Sequence, residues 1–348
     1  MIKLLLTNSD GTQDITQLVE SITWAGDIMQ CARTLDFQFL SSPTDKNIPV
    51  IKCELGNTVQ LKHNDMDLFE GVVFDRQKGT ENSLISIGCC DFGIYLKRNE
   101  GTYKFTNMTP EAITKRVCAD FGIEVGSLPA TNVKISRNFI GVSLYQIIQT
   151  AYTLAADRTG KKYMIRFKGR RLNVIEKGIT DETVVIEAGS NLMSASVSES
   201  ISGMVNQVTI YDKNDKLVAT QSNSEAIKLY GLMQSYLRVT EGVDAIARAK
   251  KVLEDNGVSQ KITVNNLGNI ANIAGNTVVV REPYTGLYGL FYIDADAHTW
   301  KRGQYYNKLV LDFRNIMDEQ EVGLLPNKSG DQTSGEKWQY LYKPGTRR

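Results

Sequence analysis

The chain begins with short runs in which apolar and polar residues alternate. Between residues 1 and 97 these runs include "SITWA", "RTLDFQFLS", "NTVQLKH", "DLFEGVVFD" and "SLISIGCCDF", and Gly, Asn, Asp or Pro separate them. A period of two is typical of strands that bury one face, and the separating residues favour turns. The pattern predicts a small antiparallel β-barrel over residues 1–97.

The apolar period then changes to that of a helix. In "NMTPEAITKRVCADFGIEVG", Thr109 is predicted to cap a helix that Gly122 ends. In "GVSLYQIIQTAYTLAADRTG", a second helix is predicted to begin after Ser143 and to end at Gly160. The alternating run "KYMIRFKGRRLNVIEKG" predicts a β-hairpin. We interpret residues 98–190 as an α/β domain.

Strand-like alternation returns in the last part of the chain. Residues 191–315 are predicted to form a second β-barrel, with a helical insertion at about 222–260 that contains "DAIARAKKVLEDNG". Residues 316–348 are polar and are interpreted as a C-terminal tail. The predicted fold class is therefore α+β, mainly β, with two similar antiparallel β-barrels and an intervening α/β domain.

A short motif connects the two predicted barrels. "LGNTVQL" at residues 55–61 and "AGNTVVV" at residues 274–280 share four residues, and both are followed by strand, turn, strand, polar turn and strand. Upstream, "LVESITWAG…RTLDFQFLS" and "SVSESISGMVNQVTIYD" are interpreted as matching leading hairpins. The repeated order indicates a duplication, in which Gly56 and Gly275 are turn residues that lead into equivalent strands.

Composition restricts the function classes. The 348 residues carry 40 basic and 39 acidic side chains, a net charge of +1, so no strong overall field attracts nucleic acid or an anionic membrane. The N-terminal "MIKLLL" is interpreted as a strand and not as a signal peptide. The five cysteines lack CxxC spacing and are predicted to be buried thiols in a reducing compartment.

Candidate catalytic chemistry is sparse. The two histidines are His63, in a polar turn, and His298, near Asp294 and Asp296 in "YIDADAHTW". The sequence contains no HExxH, GxSxG or phosphate-binding loop. We therefore predict no catalytic residue, no metal and no cofactor, and a structural role for His298.

Two segments are candidate partner contacts. The first is a run of basic residues without an acid; it comprises Arg158, Lys161, Lys162, Arg166, Lys168, Arg170 and Arg171. The run could be a solvated hairpin tip, dock on an acidic protein surface or contact nucleic acid. The second is the aromatic group Trp338, Tyr340 and Tyr342, which could anchor in a partner's groove or fold back as a strand.

Several motifs in a fixed order carry a resemblance to a known family. "LGNTVQL…DLFEGVVFD…ISIGCCDFGIYLKR", followed by "MTPEAITKRVCADFGIEVG" and later by "IAGNTVVV…LFYIDADAHTW…NKLVLDF", covers about 1–315 of the chain. This order resembles the central baseplate hub proteins of contractile phage tails and phage-tail-like bacteriocins, of the XkdQ/YqbQ and late-control-D types.

The resemblance implies a non-enzymatic role. Such hubs form homotrimers whose paired barrels make a quasi-sixfold ring between the hexameric tail tube and the trimeric spike. The implied partners are the tube, spike, baseplate wedge and tape-measure proteins, with no membrane and no specific nucleic acid. The implied location is a virion or tail-like particle assembled in the cytoplasm of the bacterial host. The alternatives are a tail-associated peptidoglycan hydrolase and a cell-surface or carbohydrate-binding module.

Overall fold

The structure is a computed structural model that describes residues 2–41, 46–47, 50–79, 84–179, 183–239 and 244–320. It is mainly β, with 51% strand and 18% helix, which confirms the class predicted from the alternating runs. The division into domains at the predicted boundaries remains a prediction.

Seven strands form the N-terminal part, which we call the first unit. They are β1 (Ile2–Asn8), β2 (Gly11–Asp14), β3 (Val19–Asp27), β4 (Thr34–Leu40), β5 (Thr58–His63), β6 (Met66–Lys78) and β7 (Leu84–Asp91), with a 3-10 turn at Thr16–Leu18. The elements that follow form the middle region. They are α1 (Ile94–Arg98), β8 (Glu100–Met108), α2 (Pro110–Asp120), β9 (Ile135–Ser143), α3 (Leu144–Thr159), β10 (Tyr163–Lys168) and β11 (Arg171–Glu176).

The C-terminal part contains a second group of strands and an inserted group. Its elements are β12 (Val184–Glu187), β13 (Leu192–Ser200), β14 (Gln207–Tyr211), β15 (Leu217–Ser222), α4 (Ser224–Tyr230), β16 (Gln234–Arg238), α5 (Ala245–Asp255), β17 (Ser259–Leu267), β18 (Thr277–Glu282), β19 (Leu287–Lys301) and β20 (Gln304–Asp312). We call β12, β13 and β17 to β20 the second unit, and β14 to α5 the insertion.

The first unit is a curled sheet with the order β3-β4-β7-β6-β5-β1-β2. Alternate residues of β1 and β3 to β7 point inward and meet in one apolar cluster that includes Leu4, Trp24, Phe37, Leu61 and Ile87, whereas β2 is exposed along its length. Burial of a side chain such as Phe37 stabilises the fold by about 2 kcal/mol. This continuous apolar face is what keeps the sheet curled.

The second unit repeats this layout around its own cluster. Its order is β13-β17-β20-β19, with β18 beside the first half of β19 and β12 beside β18. The inward side chains form a separate apolar cluster that includes Val264, Val280, Ile293 and Leu309. One strand differs, since β12 runs parallel to β18 whereas β1, in the same place, runs antiparallel to β5.

The two units join edge to edge. Strand β3 pairs with the second half of β19, so the described strands of both units form one 13-stranded sheet. The prediction of two closed barrels is therefore wrong, because among the described strands neither unit closes on itself. The free edge of β3 receives its hydrogen bonds from the other unit instead of from β1 or β2.

The repeated Gly-Asn-Thr-Val motif has the same backbone structure in both units. Gly56 has φ 86° and Gly275 has φ 93°, the region that glycine adopts without a Cβ clash. The Gly56 amide donates to the Val73 carbonyl at 2.9 Å, and the Gly275 amide donates to the Ile293 carbonyl at 2.8 Å. Both glycines thus lead into equivalent strands.

Two β-bulges also recur at equivalent positions. The register of β6 and β7 shifts between Val73 and Asp75, and that of β19 and β20 shifts between Ile293 and Ala295. A second shift lies in the pair β3–β4 near Val19 and recurs in the pair β13–β17. Because bulges are specific features of a fold, shared bulges indicate a true duplication.

One part of the predicted repeat is wrong. The segment "SVSESISGMVNQVTIYD" is not a leading hairpin, because β13 pairs with β17 and β14 pairs with β15 and β16 in a separate three-stranded sheet. The insertion therefore interrupts a hairpin whose two strands are far apart in sequence, a pairing that local alternation cannot reveal. A turn at residues 212–215 joins β14 and β15.

The predicted helix ends are confirmed. Thr109 and Ser143 accept hydrogen bonds from backbone amides in the first turns of α2 and α3, and Gly160 ends α3 with φ 72°. Helix α3 buries polar residues such as Gln149 and Thr150 together with its apolar ones. Helix α3 is the central element of the middle region, whose apolar cluster surrounds it.

Candidate functional site

The junction of the two units is formed by β3 and β19. The first half of β19 pairs with β18 and its second half pairs with β3, in a register that places Trp24 opposite His298 and Gly26 opposite Asp296. Strand β19 has 15 residues and continues past the bulge at Asp294, so it pairs with strands of both units. A single strand therefore fixes the relative position of the two units.

A buried ion pair lies at this junction. Arg33, in the loop between β3 and β4, donates to both carboxylate oxygens of Asp296, at 3.0 Å and 2.5 Å. The Asp296 side chain is fully buried, and it also accepts the Ala274 amide at 2.6 Å. Burial would raise the pKa of Asp296, but the opposing effects of Arg33 and His298 lower it to about 2.

The backbone is shaped to admit this arginine. A Cβ on Gly26 would lie 2.2 Å from Arg33 Nη1, so a larger residue at that position would displace the guanidinium. The guanidinium carbon lies 4.0 Å from the centre of the Trp24 ring. A cation over an aromatic face gains about 2 kcal/mol when both groups are desolvated.

His298 lies in the same network and has a structural role. The amide nitrogen of Asn307 is 2.9 Å from His298 Nδ1, and the Tyr305 hydroxyl is 2.8 Å from the same atom. Because an amide NH₂ only donates, Nδ1 accepts, and Nε2 donates to the Asn272 carbonyl at 3.1 Å. Both ring nitrogens are occupied, and the side chain is fully buried, so no proton of His298 faces solvent.

The middle region reaches the same junction through Arg166. Its Nη2 donates to the Ala274 carbonyl at 2.5 Å and lies 3.4 Å from Asn276 Oδ1. Burial, together with nearby Arg33, lowers the pKa of Arg166 to about 10. Arg166 therefore binds the loop that precedes Gly275 and does not extend from the surface.

A second ion pair, with a buried lysine and a partly buried aspartate, lies at the bulge of β19. Lys177, whose side chain is fully buried, lies 3.4 Å from Asp294 and also donates to the Ile316 carbonyl. Burial raises the pKa of Asp294 to about 6 although Lys177 opposes the shift. The Asp294 carbonyl accepts the Ile28 amide at 2.8 Å, so this bulge touches the first unit and the middle region at once.

The basic residues predicted as partner contacts are mostly paired within the chain. These contacts are Arg158 Nη1 to the Lys134 carbonyl at 3.0 Å, Lys161 to Glu176 at 2.8 Å, Lys162 to Glu319 at 2.9 Å, Arg170 to Glu70 at 2.9 Å and Arg171 to Glu124 at 3.2 Å. Lys168 is exposed, and within the described part of the chain it forms no ion pair. The role of this hairpin in binding a partner remains a prediction.

The other predicted features fall in different places. Trp338, Tyr340 and Tyr342 lie outside the described residues. His63 ends β5 and is partly buried, with its ring centre 6.2 Å from that of Tyr305, so the interpretation as an exposed turn is wrong. Cys90 is partly buried, the other four cysteines are buried, and all five are free thiols.

The described residues contain no group of three or more His, Cys, Asp or Glu side chains that could hold a metal ion. No helix of the described ranges is both long and apolar enough to cross a membrane. Sequence reasoning missed Arg33 and Lys177, whose partners are far away in the chain. A weak signal was available for Asp296, since it alternates with His298 along "DADAH" and both are buried.

Comparisons with known proteins agree on one class. The profile of a family described as YQBQ-like matches residues 22–312. The chain is 24% identical over 328 residues to the phage-like element PBSX protein XkdQ of Bacillus subtilis, covering 92% of this chain and 99% of that protein. It is 26% identical over 310 residues to the uncharacterized protein YqbQ of Bacillus subtilis, covering 86% and 93%.

Solved structures share the fold at low identity. The 43 kDa tail protein of prophage MuSo2 from Shewanella oneidensis superposes with a TM-score of 0.68 at 15% identity, covering 89% of this chain and 97% of that chain. A tail protein from Neisseria meningitidis gives 0.64 at 14%, covering 89% and 96%. An Escherichia coli component of the type VI secretion system, described as similar to the T4 tail proteins gp27 and gp5, gives 0.53 at 10%, covering 89% and 76%.

Proposed function

The chain belongs to the YQBQ-like family, and on this premise we propose that it is the structural hub of a contractile-tail baseplate. In this role three copies form a ring that joins the hexameric tail tube to the trimeric spike. The ring transmits force and alignment, and it carries out no chemical reaction.

The duplication of the sheet within one chain carries this proposal. A ring that contacts a sixfold tube on one side and a threefold spike on the other must present both symmetries. Three chains with two equivalent units each offer six similar sheets and three identical subunits. The shared glycine turns and shared bulges are the features of this chain that support the equivalence of its units.

The relatives support the same class of role. XkdQ is a protein of a phage-like element, and the solved structures with the same fold include two tail proteins of phage origin or description. A third shared fold belongs to a type VI secretion component described as similar to T4 tail proteins. These similarities favour a structural tail component over the peptidoglycan hydrolase or the carbohydrate-binding module.

The junction gives the hub its rigidity. The two units are joined by a strand pair, by the ion pair between Arg33 and Asp296 and by the contacts of Lys177. Breaking one partner of a buried ion pair costs about 3–5 kcal/mol. A hinge motion between the units would have to break these contacts, so the angle between them is fixed for assembly.

The partners follow from the role. The proposed hub binds the tube and spike proteins along the ring axis, and the middle region faces the wedge and tape-measure proteins. Lys168, on the outer hairpin, is suited to an acidic protein surface. The site of action is a virion or tail-like particle that assembles in the cytoplasm of the bacterial host.

Co-expression with the neighbouring spike protein tests the proposal. The full chain and the spike protein should purify together as a complex of three copies of each, as measured by native mass spectrometry. Purified chain should leave peptidoglycan unchanged, because no catalytic group has been assigned. Turnover of peptidoglycan, or a spike that never co-purifies, would contradict the hub.

A further inference from the structure

The pairing of β3 with β19 has an unfilled counterpart on the same chain. Strand β6 is equivalent to β19, since β5 and β7 flank it as β18 and β20 flank β19. Strand β13 is equivalent to β3, since it pairs with β17 as β3 pairs with β4. In the described structure the second half of β6 pairs only with β7, and β13 pairs only with β17.

Both of these edges are exposed. Residues Asp75 to Lys78 of β6 continue past the end of β5, and all four of these residues are exposed. Strand β13 is exposed on most of its nine residues and has no proline, and its one bulge lies at Leu192–Ser194, before Ser198 and Glu199. Unprotected edges of this kind recruit further strands.

The loop that precedes the shared Gly-Asn-Thr-Val motif is bound to the neighbouring long strand in both units. In the second unit, His298 of β19 binds the Asn272 carbonyl, and β3 pairs with the same half of β19. In the first unit, Arg76 Nη1 of β6 donates to the Cys53 carbonyl at 2.9 Å. In both units, therefore, a side chain from the second half of the strand binds a carbonyl of the loop that precedes the shared glycine.

The geometry points to an interface in which β13 of one copy pairs antiparallel with the second half of β6 of the next copy. This inference rests on the proposed hub and names the contact between its subunits. The strand that pairs with β6 comes from a second copy of this chain, because β13 is the structural equivalent of β3, which pairs with β19 within the chain. The contact is head to tail, so it closes into a ring when the rotation permits.

The equivalences also give the register. Within the chain Asp296 lies opposite Gly26, and Ala297 lies opposite Ala25. Transferring these pairs through the shared bulges places Arg76 opposite Glu199 and Gln77 opposite Ser198.

The charges of this register are complementary. Arg76 is basic and Glu199 is acidic, and Lys78 is the next residue of β6 on the same face as Arg76. Opposite charges directly across a strand pair stabilise it, and like charges destabilise it. A shift of one residue would place Arg76 beside Ser198 or Ser200 and would turn the side chains to the other face.

Cysteine pairs in assembled particles test the register. The full chain carrying Gln77→Cys and Ser198→Cys is isolated in tail particles, oxidised and run on a non-reducing gel. Directly opposite Cα atoms lie about 4.5–5.5 Å apart, within reach of a disulfide, whereas diagonal neighbours lie about 7–8 Å apart. The expected result is a covalent ladder that ends at the trimer.

Matched controls use the serines on the same face of β13. Gln77→Cys combined with Ser196→Cys or with Ser200→Cys should cross-link at least tenfold less, and each single cysteine should give no ladder. Cross-linking of a control pair in preference to the predicted pair, or no cross-link in intact particles, overturns the inference. A ladder that continues beyond the trimer supports the strand pairing and contradicts the closed ring of the proposed hub.

A charge exchange provides an independent test. Arg76→Glu and Glu199→Arg should each reduce the amount of chain recovered in particles several-fold, and the double variant should restore it. Because Arg76 also binds the Cys53 carbonyl, a loss from folding alone would not be rescued by the change at Glu199. Failure of the double variant to recover, while both single variants remain folded by circular dichroism, would contradict the pairing.

Discussion

Gly56 and Gly275 hold the same backbone conformation in the two units, but their surroundings differ. Nothing lies within 4 Å of a Cβ built on Gly56. A Cβ on Gly275 would lie 3.1 Å from Met164 Sδ and 3.2 Å from Arg166 Nη2, both from the middle region. The duplicated turn is therefore free in one unit and is covered by β10 in the other.

Alanine at these two glycines should separate backbone strain from crowding. Gly56→Ala should lower the free energy of unfolding by about 1–2 kcal/mol, the cost of a left-handed residue with a Cβ. Gly275→Ala has the same backbone cost and should lose about 1 kcal/mol more, because the middle region must shift. Denaturant midpoints measure both, and equal losses would show that the β10 contact contributes nothing.

The ion pair between Arg33 and Asp296 should behave as a coupled unit. Arg33→Met and Asp296→Asn should each destabilise the chain by about 3–5 kcal/mol, because each leaves a buried polar group without its partner. The double variant should lose clearly less than the sum of the two. Unfolding of the four proteins in a double-mutant cycle measures the coupling, and additive losses would contradict a direct pair.

The same carboxylate predicts a pH dependence. Because Asp296 has a pKa of about 2, below its ordinary value of 3.8, its ionised form stabilises the folded state above pH 4. This contribution should be lost as the pH falls from 4 to 2, and it amounts to ~2 kcal/mol. Comparing unfolding of the natural chain with Asp296→Asn across this range isolates it, and a constant difference would show that Asp296 does not titrate there.

The basic hairpin should affect assembly through Lys168 and stability through Arg166. Lys168→Glu should leave the melting temperature unchanged, because the side chain is exposed, yet it should reduce incorporation of the chain into particles. Lys104→Glu, at an exposed position on β8, is the matched control. If both charge reversals assemble equally well, the hairpin does not contact an acidic partner.

Arg166→Gln should lower the melting temperature because it removes a contact to the Ala274 carbonyl.

Local patterns predicted the local structure well. Helix caps at Thr109 and Ser143 and the hairpin of β10 and β11 depend on neighbouring residues, and the structure has all three. The Gly-Asn-Thr-Val repeat was informative because a positive φ leaves glycine as the preferred residue. Local patterns do not show which sheet edges pair with each other. They therefore predicted two separate barrels, whereas in the structure the edge of β3 pairs with β19.

The junction could not be predicted for a related reason. Arg33 and Asp296 are separated by 263 positions, and Arg33 belongs to no spaced motif. The bulge at Asp294 also changes which residues of β19 point inward, so simple alternation fails beyond it. Even the equivalent strands differ in detail, since Phe69 and Gly71 of β6 correspond to Gly289 and Phe291 of β19. Each apolar cluster therefore contains one phenylalanine ring here, but the residues at equivalent positions are not identical.

The number of copies per particle tests the central claim most directly. Imaging of intact tail particles by electron cryo-microscopy should show three copies of the chain between tube and spike, with their six units at quasi-sixfold positions. Six copies, a single copy, or a location away from the tube–spike boundary would contradict the hub.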